Sequence, residues 1–423
     1  MCQKVVSIIC LLILLATSGC LFGDFPFRRE IREAKHISNF TIDNNYIYFG
    51  AGYKLYRLDA FSQSIEAVYA TDRIRAEQPI IADGTAYFGG LSYVDEKGNF
   101  GESQGFFAVD LQSRRNLWKF PLGVGGYGTF GTYPVLAGDQ ILVCARQHLH
   151  CLDRRSGKEL WKLNNWLGRD SDGVTVPYVH QGFVYFKINE EYFTGSDTID
   201  GHWAKVNLQN GHREAVLPIA EKPGKYHDQS GHAIGVLANG VIFGATRYNQ
   251  NTYPASRFGA LDLEAQRLTW EVQGSSIRTQ PALSSNFVFT VRENSIQALD
   301  RKTGKVVWNE PLGEIAHTNI DCSQDRWKWD YENEWSRRLA ATEEIVVAQG
   351  SKGIVARRTD NGKFLWLVKT ESESGDADPL IFQQMVIVSS IKDCSVFALD
   401  IKTGKELWRV KVPDCKYFYI MDD

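Results

Sequence analysis

The sequence predicts an all-β fold, namely an eight-bladed β-propeller of four-stranded antiparallel blades. With 423 residues, the chain exceeds the ~250–300 residues at which a single hydrophobic core stops growing. Its 12% aromatic residues and 37 Gly indicate an ordered chain with many turns. One short pattern recurs eight times, and its clearest copies are Ala298–Trp308 and Ala398–Trp408. Recurrence of this kind is typical of a repeat architecture.

Each copy of the pattern is expected to form a β-hairpin around a central residue, usually Asp. The Asp carboxylate can accept hydrogen bonds from the turn, and Gly stands four positions later in five copies, where a positive φ is needed. Trp stands eight positions after the centre in six copies, namely Trp118, Trp161, Trp270, Trp308, Trp366 and Trp408. Ala67 and Ala215 take its place in the other two copies.

A second hairpin, such as residues 79–88, precedes each copy of the pattern. Two hairpins make one four-stranded sheet, and eight such sheets can cover one another when they are arranged radially. After the last copy, the run Tyr417–Ile420 has the character of a short strand. We expect this run to return to the first blade and to close the ring.

The N-terminus has the features of an export signal. Lys4 precedes the apolar run Val5–Ala16, which is shorter than the ~20 residues that a membrane-spanning helix needs. The following Thr17–Cys20 resembles a bacterial lipobox, in which Cys20 becomes the lipidated first residue; an ordinary signal peptide with a chance cysteine is the alternative. By resemblance to lipoprotein sorting, Leu21 favours the outer membrane. The predicted domains are a signal peptide (1–19), a lipidated tether (20–36) and the propeller (37–423).

The repeat from residue 37 onward resembles the eight-bladed propellers related to pyrroloquinoline quinone enzymes. The tryptophan-docking motif of that family implies that the six Trp side chains wedge between adjacent blades and have a structural role. One branch of the family consists of quinoprotein dehydrogenases, which hold the quinone with Ca²⁺ in the central channel. This chain has no adjacent Cys pair and no Cys-x-x-Cys-His haem motif. A dehydrogenase is therefore the less favoured alternative.

The other branch consists of BamB-type outer-membrane assembly lipoproteins, which share the lipobox, the single propeller and a closely similar length. That resemblance implies a scaffold without catalytic residues, cofactor or metal, lipid-anchored at the periplasmic face of the outer membrane. It also implies a partner, the POTRA domains of the barrel-insertion protein. A formal net charge of −3 disfavours nucleic-acid binding. A propeller of another role, such as a periplasmic ligand-binding scaffold, remains the alternative.

Long insertions indicate the working face. In a blade with strands A to D, the A–B and C–D turns share one face, and nearly every long insertion falls in the other set of connections. Residues 314–338 form the insertion richest in aromatic and charged residues, and Trp327, Trp329, Tyr331 and Trp335 are its candidate partner-binding side chains. Local packing of one strand face is the alternative for these aromatics.

The cysteines offer two candidate disulfides in an oxidising compartment. Cys415 would lie near the last blade, where Cys394 stands in a connecting turn, so a Cys394–Cys415 bridge would staple the closure of the ring. Cys144 and Cys151 flank a tight turn and would face each other in a symmetric hairpin; the alternative is two small buried repeat residues. His148 and His150 share one strand face, and we expect a solvent-facing pair rather than a metal site.

Overall fold

The computed structural model describes the following residues: 29–90, 97, 104–123, 134–145, 148–164, 176–188, 202–217, 235–247, 257–273, 280–292, 295–313, 338–350, 352–370 and 377–422. These residues form eight four-stranded sheets and one two-stranded ribbon. In the described ranges, no helix is long and apolar enough to cross a membrane.

Each blade consists of four strands that follow one another in the chain and pair antiparallel, which confirms the predicted all-β propeller. Blade 1 consists of β2 (Thr41–Asp43), β3 (Tyr46–Ala51), β4 (Lys54–Asp59) and β5 (Ile65–Ala70). Blade 2 consists of β6 (Ile80–Ala82), β7 (Thr85–Gly90), β8 (Gln104–Asp110) and β9 (Asn116–Gly123). Blade 3 consists of β10 (Pro134–Ala137), β11 (Gln140–Ala145), β12 (His148–Asp153) and β13 (Glu159–Asn164). Blade 4 consists of β14 (Tyr178–His180), β15 (Phe183–Ile188), β16 (His202–Asn207) and β17 (Arg213–Leu217).

The second half of the ring repeats this order. Blade 5 consists of β18 (Gly235–Ala238), β19 (Val241–Arg247), β20 (Arg257–Asp262) and β21 (Arg267–Gln273). Blade 6 consists of β22 (Ala282–Leu283), β23 (Phe287–Arg292), β24 (Ser295–Asp300) and β25 (Val306–Pro311). Blade 7 consists of β26 (Arg338–Ala341), β27 (Ile345–Gly350), β28 (Gly353–Arg358) and β29 (Phe364–Lys369). Blade 8 consists of β30 (Leu380–Phe382), β31 (Met385–Ser390), β32 (Ser395–Asp400) and β33 (Glu406–Lys411).

The hydrophobic core is divided among the gaps between blades. Each of eight buried clusters combines side chains from two neighbouring blades, and one of them joins blade 8 to blade 1. The first strands of several neighbouring blades contact each other, so these strands lie innermost, around the axis. Burial of apolar surface between blades, rather than inside any one blade, therefore holds the ring closed.

Tryptophans of the repeat dock each blade against the next one. The indole Nε1 of Trp270, for example, donates to the carbonyl of Arg301 in the following blade at 3.0 Å. Its ring also lies over Gly304, where an added Cβ would come within 2.5 Å of the indole. The same donation and the same approach to a glycine occur for Trp118, Trp161, Trp308 and Trp366.

Where this docking is altered, the glycine is absent. The two blades with Ala67 and Ala215 are followed by blades whose turns carry Arg114 and Gln266 at the glycine position, both at positive φ. Trp408 of blade 8 faces blade 1, where Gln63 holds that position at φ 62°. Within the described residues, the Trp408 Nε1 has no hydrogen-bond acceptor. A blade thus has glycine at this turn position when the preceding blade carries the docking Trp, except at the junction of blades 8 and 1.

The two ends of the described chain form a ribbon at this same junction. β1 (Arg29–Lys35) pairs antiparallel with β34 (Lys416–Asp422), outside all eight blades. The Phe418 N–H donates to the Tyr53 hydroxyl of blade 1 at 2.9 Å, so the C-terminal run does return to the first blade. It pairs with β1 and is not part of any four-stranded blade. The expected tether, residues 20–36, therefore includes a strand.

The cysteines of the described residues differ in their pairing. Cys394 and Cys415 form a disulfide with Cα atoms 6.0 Å apart, which ties the turn before β32 to the segment before β34. Cys144 and Cys151 are buried thiols. The hairpin register places Cys144 opposite Leu149 and Cys151 opposite Leu142, so the two thiols do not face each other and the candidate bridge between them is wrong.

Candidate functional site

The two faces of the disc differ in the length of their connections. Turns such as residues 83–84 and 303–305 are short, and they lie on what we call the short-turn face. The opposite face, the long-connection face, carries the links from β25 to β26 and from β19 to β20. Most of the long insertions lie outside the described residues. Trp327, Trp329, Tyr331, Trp335 and the lipidation candidate Cys20 are among the residues outside the described ranges.

Arg357 holds the strand from which the aromatic insertion departs. Its guanidinium donates to the carbonyl of Pro311, the last residue of β25, at 2.7 Å, and to the carbonyl of Gly362 at 3.0 Å. The Glu310 carboxylate lies 3.5 Å away. Burial lowers the pKa of Arg357, since a desolvated guanidinium favours its neutral form, and Glu310 opposes this shift.

Arg338, the residue at which that insertion returns, belongs to a polar cluster beside the axis. It lies 3.3 Å from the Asp378 carboxylate, and Asp378 in turn accepts from the Asn39 amide at 3.1 Å. The Asp378 N–H donates back to the Asn39 side chain at 2.7 Å. We call Asn39, Arg338 and Asp378 the axial cluster, because each precedes or begins the innermost strand of its blade. Burial raises the pKa of Asp378, although Arg338 and Asn39 act in the opposite direction.

A second polar cluster lies where the ribbon meets blades 1 and 2. Glu77 accepts from the Arg75 Nε at 2.7 Å, and the His36 Nε2 lies 3.4 Å from its other oxygen. The Arg75 guanidinium also lies over the ring of Tyr417, 5.2 Å from its centroid. We call His36, Arg75, Glu77 and Tyr417 the seam cluster. Burial alone would raise the pKa of Glu77, but Arg75 and His36 outweigh it and lower the pKa to about 2.

Glycines let the chain cross this region closely. Residues 71–79 connect blade 1 to blade 2, and their backbone passes over the ends of two strands. A Cβ on Gly90 would lie 1.6 Å from the Arg75 carbonyl oxygen, so only glycine allows this approach. The seam cluster is therefore placed by backbone contact as well as by its charges.

The histidine pair of blade 3 is not a solvent-facing pair. His150 is buried against the Phe120 ring, with centroids 5.2 Å apart, and its Nδ1 lies 2.7 Å from the Glu159 carboxylate. Burial lowers the pKa of His150 despite Glu159. The expectation of a solvent-facing pair is therefore wrong for His150, because its strand face is covered by the neighbouring blade.

The titratable groups of the described residues are largely engaged within the fold. The charged groups of both clusters are already engaged with one another, and no group of three or more His, Cys, Asp or Glu in the described part of the chain is placed to hold a metal ion. Burial raises the pKa of the Cys144 thiol, and it raises that of Cys151 to about 12, which makes both poor nucleophiles.

Sequence reasoning did not find either cluster. A signal was nevertheless present, because aligning the repeats places a polar residue just before the innermost strand, or at its first position, in five blades: Asn39, Gln78, Gln280, Arg338 and Asp378. Such positions stand next to apolar strand residues in the sequence, so they are easily taken for ordinary loop residues.

Fold, repeat and docking tryptophans define the class of this protein, a pyrroloquinoline-quinone-like eight-bladed β-propeller. The family model described as outer membrane protein assembly factor BamB matches residues 106–222, 201–310 and 313–417, well over half of the chain. The chain belongs to this family. No curated protein sequence matches it significantly.

Solved structures share the fold. The crystal structure of BamB from Moraxella catarrhalis matches with a TM-score of 0.57 and 12% identity, covering 85% of this chain and 96% of that one. Quinohemoprotein alcohol dehydrogenase from Comamonas testosteroni matches with a TM-score of 0.58 and 13% identity, covering 81% and 68%. A europium-containing methanol dehydrogenase matches with a TM-score of 0.56 and 12% identity, covering 80% and 78%. At these identities the likeness concerns the fold.

Proposed function

We propose that this protein is a lipid-anchored scaffold of outer-membrane β-barrel assembly, held at the periplasmic face of the outer membrane. Membership of the BamB family is the observation that carries this proposal. It is supported by the likeness to the Moraxella catarrhalis protein along nearly all of that protein's length. Cys20 would carry the lipid, so Cys20→Ser should move the protein from membranes to the soluble periplasmic fraction. Retention of that variant on membranes in high salt would contradict lipid anchoring.

The partner of the scaffold would be the POTRA region of the barrel-insertion protein, bound through the long-connection face. Two features support this choice of face. Long connections held by a rigid scaffold commonly carry binding residues, and Trp and Tyr flanked by charges are typical of interface hot spots. Pro311 and Arg338, which flank the aromatic insertion, are bonded to Arg357 and Asp378, and this gives the insertion defined points of departure and return.

Replacement of Trp327, Trp329 and Trp335 by Ala tests this face. Recovery of the POTRA partner from native membranes should be lost, while the thermal midpoint stays within a few degrees of the native value. Phe61→Ala is the matched control, since Phe61 is an exposed aromatic on the short-turn face, in the turn after β4. Normal recovery with the triple variant, at unchanged stability, would place the interface elsewhere. A fall of roughly 10 °C in the midpoint would show that these Trp side chains pack in the core.

A further inference from the structure

The outer strands and turns of blades 6, 7 and 8 carry an excess of positive charge. The segments 299–312, 357–370 and 399–412, which run from the end of the third strand through the fourth, contain 11 Lys and Arg against 5 Asp and Glu. The equivalent segments of the other five blades contain 9 of each. Among those five, blades 2 and 3 contain 7 against 3 and blades 1, 4 and 5 contain 2 against 6, so blades 6 to 8 form the longest run of adjacent blades with a positive excess.

Most acidic groups of these three blades are already engaged. Asp300 and Asp400 accept hydrogen bonds within their own turns. Asp360 pairs with Arg358, and Glu406 pairs with Arg409. Five lysines are left, and none of their ammonium groups forms an ion pair or hydrogen bond with the described residues: Lys302, Lys305, Lys363, Lys402 and Lys405.

Arginines at the matching turns of blades 2 and 3 have acidic partners. Arg154 pairs with Asp83 at 2.6 Å, and Arg155 lies 3.6 Å from Asp139. Arg114 pairs with Glu66 of blade 1. Within the described residues, Arg115, Lys158 and Arg267 of blades 2, 3 and 5 form no ion pair either, but each is the single such cation in its turn, whereas blades 6 to 8 together leave five.

Exposed apolar side chains stand next to these lysines. Phe364 follows Lys363 and is 53% exposed, and Val306 and Val307 follow Lys305 at 43% and 47%. Leu407, two residues after Lys405, is 48% exposed. We call the five lysines and these four apolar residues the basic rim. A convex surface that offers lysines with protruding apolar side chains matches a membrane interface, where ammonium groups meet lipid phosphates and apolar groups enter the headgroup region.

The position of the N-terminal segment supports a lipid surface as the occupant. β1 pairs with β34, which follows blade 8, and Lys35 donates to the carbonyl of Lys392 in that blade. The described chain thus begins beside blade 8, and the eight residues between Cys20 and Arg29 can span at most roughly 30 Å. The proposed lipid on Cys20 would therefore keep blade 8 near the leaflet; this step alone rests on the proposed function.

We propose that the basic rim of blades 6 to 8 binds an anionic lipid surface, so that the propeller lies with these outer strands against the membrane that anchors it. The N-terminal segment departs from the end of blade 8 that carries the long connections, whereas the lysines lie at the other end of the outer strands. With the whole outer strands against the membrane, the long-connection face points along the leaflet and stays open to a protein partner. Attraction depends on charge, so it is weakened by salt, whereas contact by Phe364 and its apolar neighbours is not.

Binding of residues 20–423 carrying Cys20→Ser to vesicles tests this proposal without any contribution from the acyl chains or from the apolar run Val5–Ala16. The vesicles would consist of phosphatidylethanolamine with about 40% phosphatidylglycerol, or of phosphatidylcholine alone, at about 0.05 M and about 0.5 M salt. We expect cosedimentation with the anionic vesicles at low salt and little with the neutral ones. Phe364→Ser should lower the part of the binding that persists at high salt.

Two triple variants make the test specific to the rim. Lys305→Gln, Lys363→Gln and Lys405→Gln together should weaken binding to anionic vesicles roughly 100-fold, as expected for three lysines near a charged surface. The matched control replaces Arg115, Lys158 and Arg267 by Gln; these residues hold the same turn position in blades 2, 3 and 5. It removes the same charge but should change binding less than about threefold, with both thermal midpoints unchanged.

Three outcomes would overturn the proposal: equal losses in the two triple variants, equal binding to neutral vesicles, or no binding of the native side chains to anionic vesicles. Recovery of the POTRA partner by the rim variant, with Cys20 retained, is measured separately. Because that recovery depends on the opposite end of the strands, its failure and the failure of the rim proposal are distinguishable.

Discussion

Glu77 is a carboxylate whose burial is compensated by two cationic neighbours. Only 13% of its side chain is exposed, and it lies between Arg75 and His36 at the seam of the ring. Its pKa is lowered from 4.5 to about 2. A shift of this size corresponds to roughly 3 kcal/mol of stability at neutral pH. Because the folded-state pKa is the lower one, that stability is present above pH 4.5 and is lost as the pH falls toward 2.

Glu77→Gln should lower the free energy of unfolding by about 3 kcal/mol at pH 7, because it leaves Arg75 without its buried counter-charge. The difference between variant and native protein should shrink by about 1.4 kcal/mol for each pH unit below 4.5. Urea unfolding at pH 7, 4.5 and 3.5 measures both quantities.

Asp72→Asn is the matched control, because Asp72 pairs with Arg73 in the same connection but is 50% exposed. It should cost under about 1 kcal/mol and show no such pH dependence. A constant difference at all three pH values would contradict the account.

Side chains that serve the repeat could be predicted, whereas those that depend on a neighbouring blade could not. The Asp at the centre of each hairpin was expected to cap its turn, and Asp300 accepts from the N–H of Thr303 at 2.8 Å. That interaction is local in sequence. Burial of His150 depends on Phe120 of the preceding blade, and the pairing of Asp378 depends on residues about 40 and about 340 positions away. No pattern within one hairpin contains this information.

At the scale of the blade, the glycine of the repeat has two separate roles. The sequence predicted the first, a positive φ in the turn, and Gly304 has φ 69°. The second role follows from the structure, since the Trp270 ring packs on the space that a Cβ would fill. Arg114, Gln266 and Gln63 show that a turn of this kind tolerates a side chain at positive φ. Contact with Trp, rather than the turn alone, therefore accounts for glycine at this position, except at the junction of blades 8 and 1, where Trp408 faces Gln63.

Gly304→Ala separates the two roles. We expect it to lower the free energy of unfolding by roughly 2–4 kcal/mol, from backbone strain and from displacement of the Trp270 ring. Gly138→Ala is the matched control, since Gly138 has φ 65° with nothing within 4 Å of an added Cβ, and it should cost only about 1–2 kcal/mol. In a Trp270→Ala background, the cost of Gly304→Ala should fall to that of the control. Chemical denaturation of the native protein, the two single variants at Gly304 and Trp270 and the double variant gives the coupling energy between the two positions. If the two single changes are strictly additive, backbone strain alone accounts for the cost of Gly304→Ala.

Element positions followed from the sequence because the hairpin signal is repeated eight times. Each copy combines alternating strand residues with a turn, so an error in one copy is corrected by the others. Registers were less accessible. Symmetry about a turn at Gln147 and His148 suggested that Cys144 and Cys151 face each other, but the pairs Cys144–Leu149 and Cys151–Leu142 place them diagonally. β1 was missed because its charged sequence pairs with a strand almost 400 residues later.

At the scale of the whole molecule, the junction of blades 8 and 1 differs from the others. Trp408 there lacks both the glycine and the carbonyl acceptor that the other docking tryptophans have. In their place the junction has the Cys394–Cys415 disulfide, the Asn39–Asp378 pair and the β1–β34 ribbon. Blades 8 and 1 are not consecutive in the chain, so no connecting segment of the kind found at the other junctions holds these two blades together. Contacts between residues distant in sequence supply that restraint instead.

The candidate site was only partly predictable, because some of its residues become neighbours only when the ring closes. Insertion lengths identified the long-connection face, because strand bounds and loop lengths can be read along the chain. The axial cluster arises from three blades that close around the axis, and its members become neighbours only when the ring forms. Placement of the cluster at the end where the long connections lie gives the two halves of the site, loops and axis, a common location.

The axial cluster also bears on whether this protein oxidises substrates, as some proteins of similar fold do. Asn39, Arg338 and Asp378 are bonded to one another, and Asp378 is a partly buried carboxyl whose pKa is raised. A carboxyl in that state, already engaged by a guanidinium and an amide, is a poor ligand for a divalent cation.

We therefore expect that purified protein, supplied with pyrroloquinoline quinone and Ca²⁺, oxidises neither alcohols nor sugars with an artificial electron acceptor. A quinoprotein dehydrogenase reconstituted in parallel shows that the assay works, and quinone absorbance after gel filtration shows whether the cofactor is retained. Turnover at even about 1 s⁻¹, the low end of ordinary enzyme rates, would assign this chain to the enzymes rather than to the scaffolds.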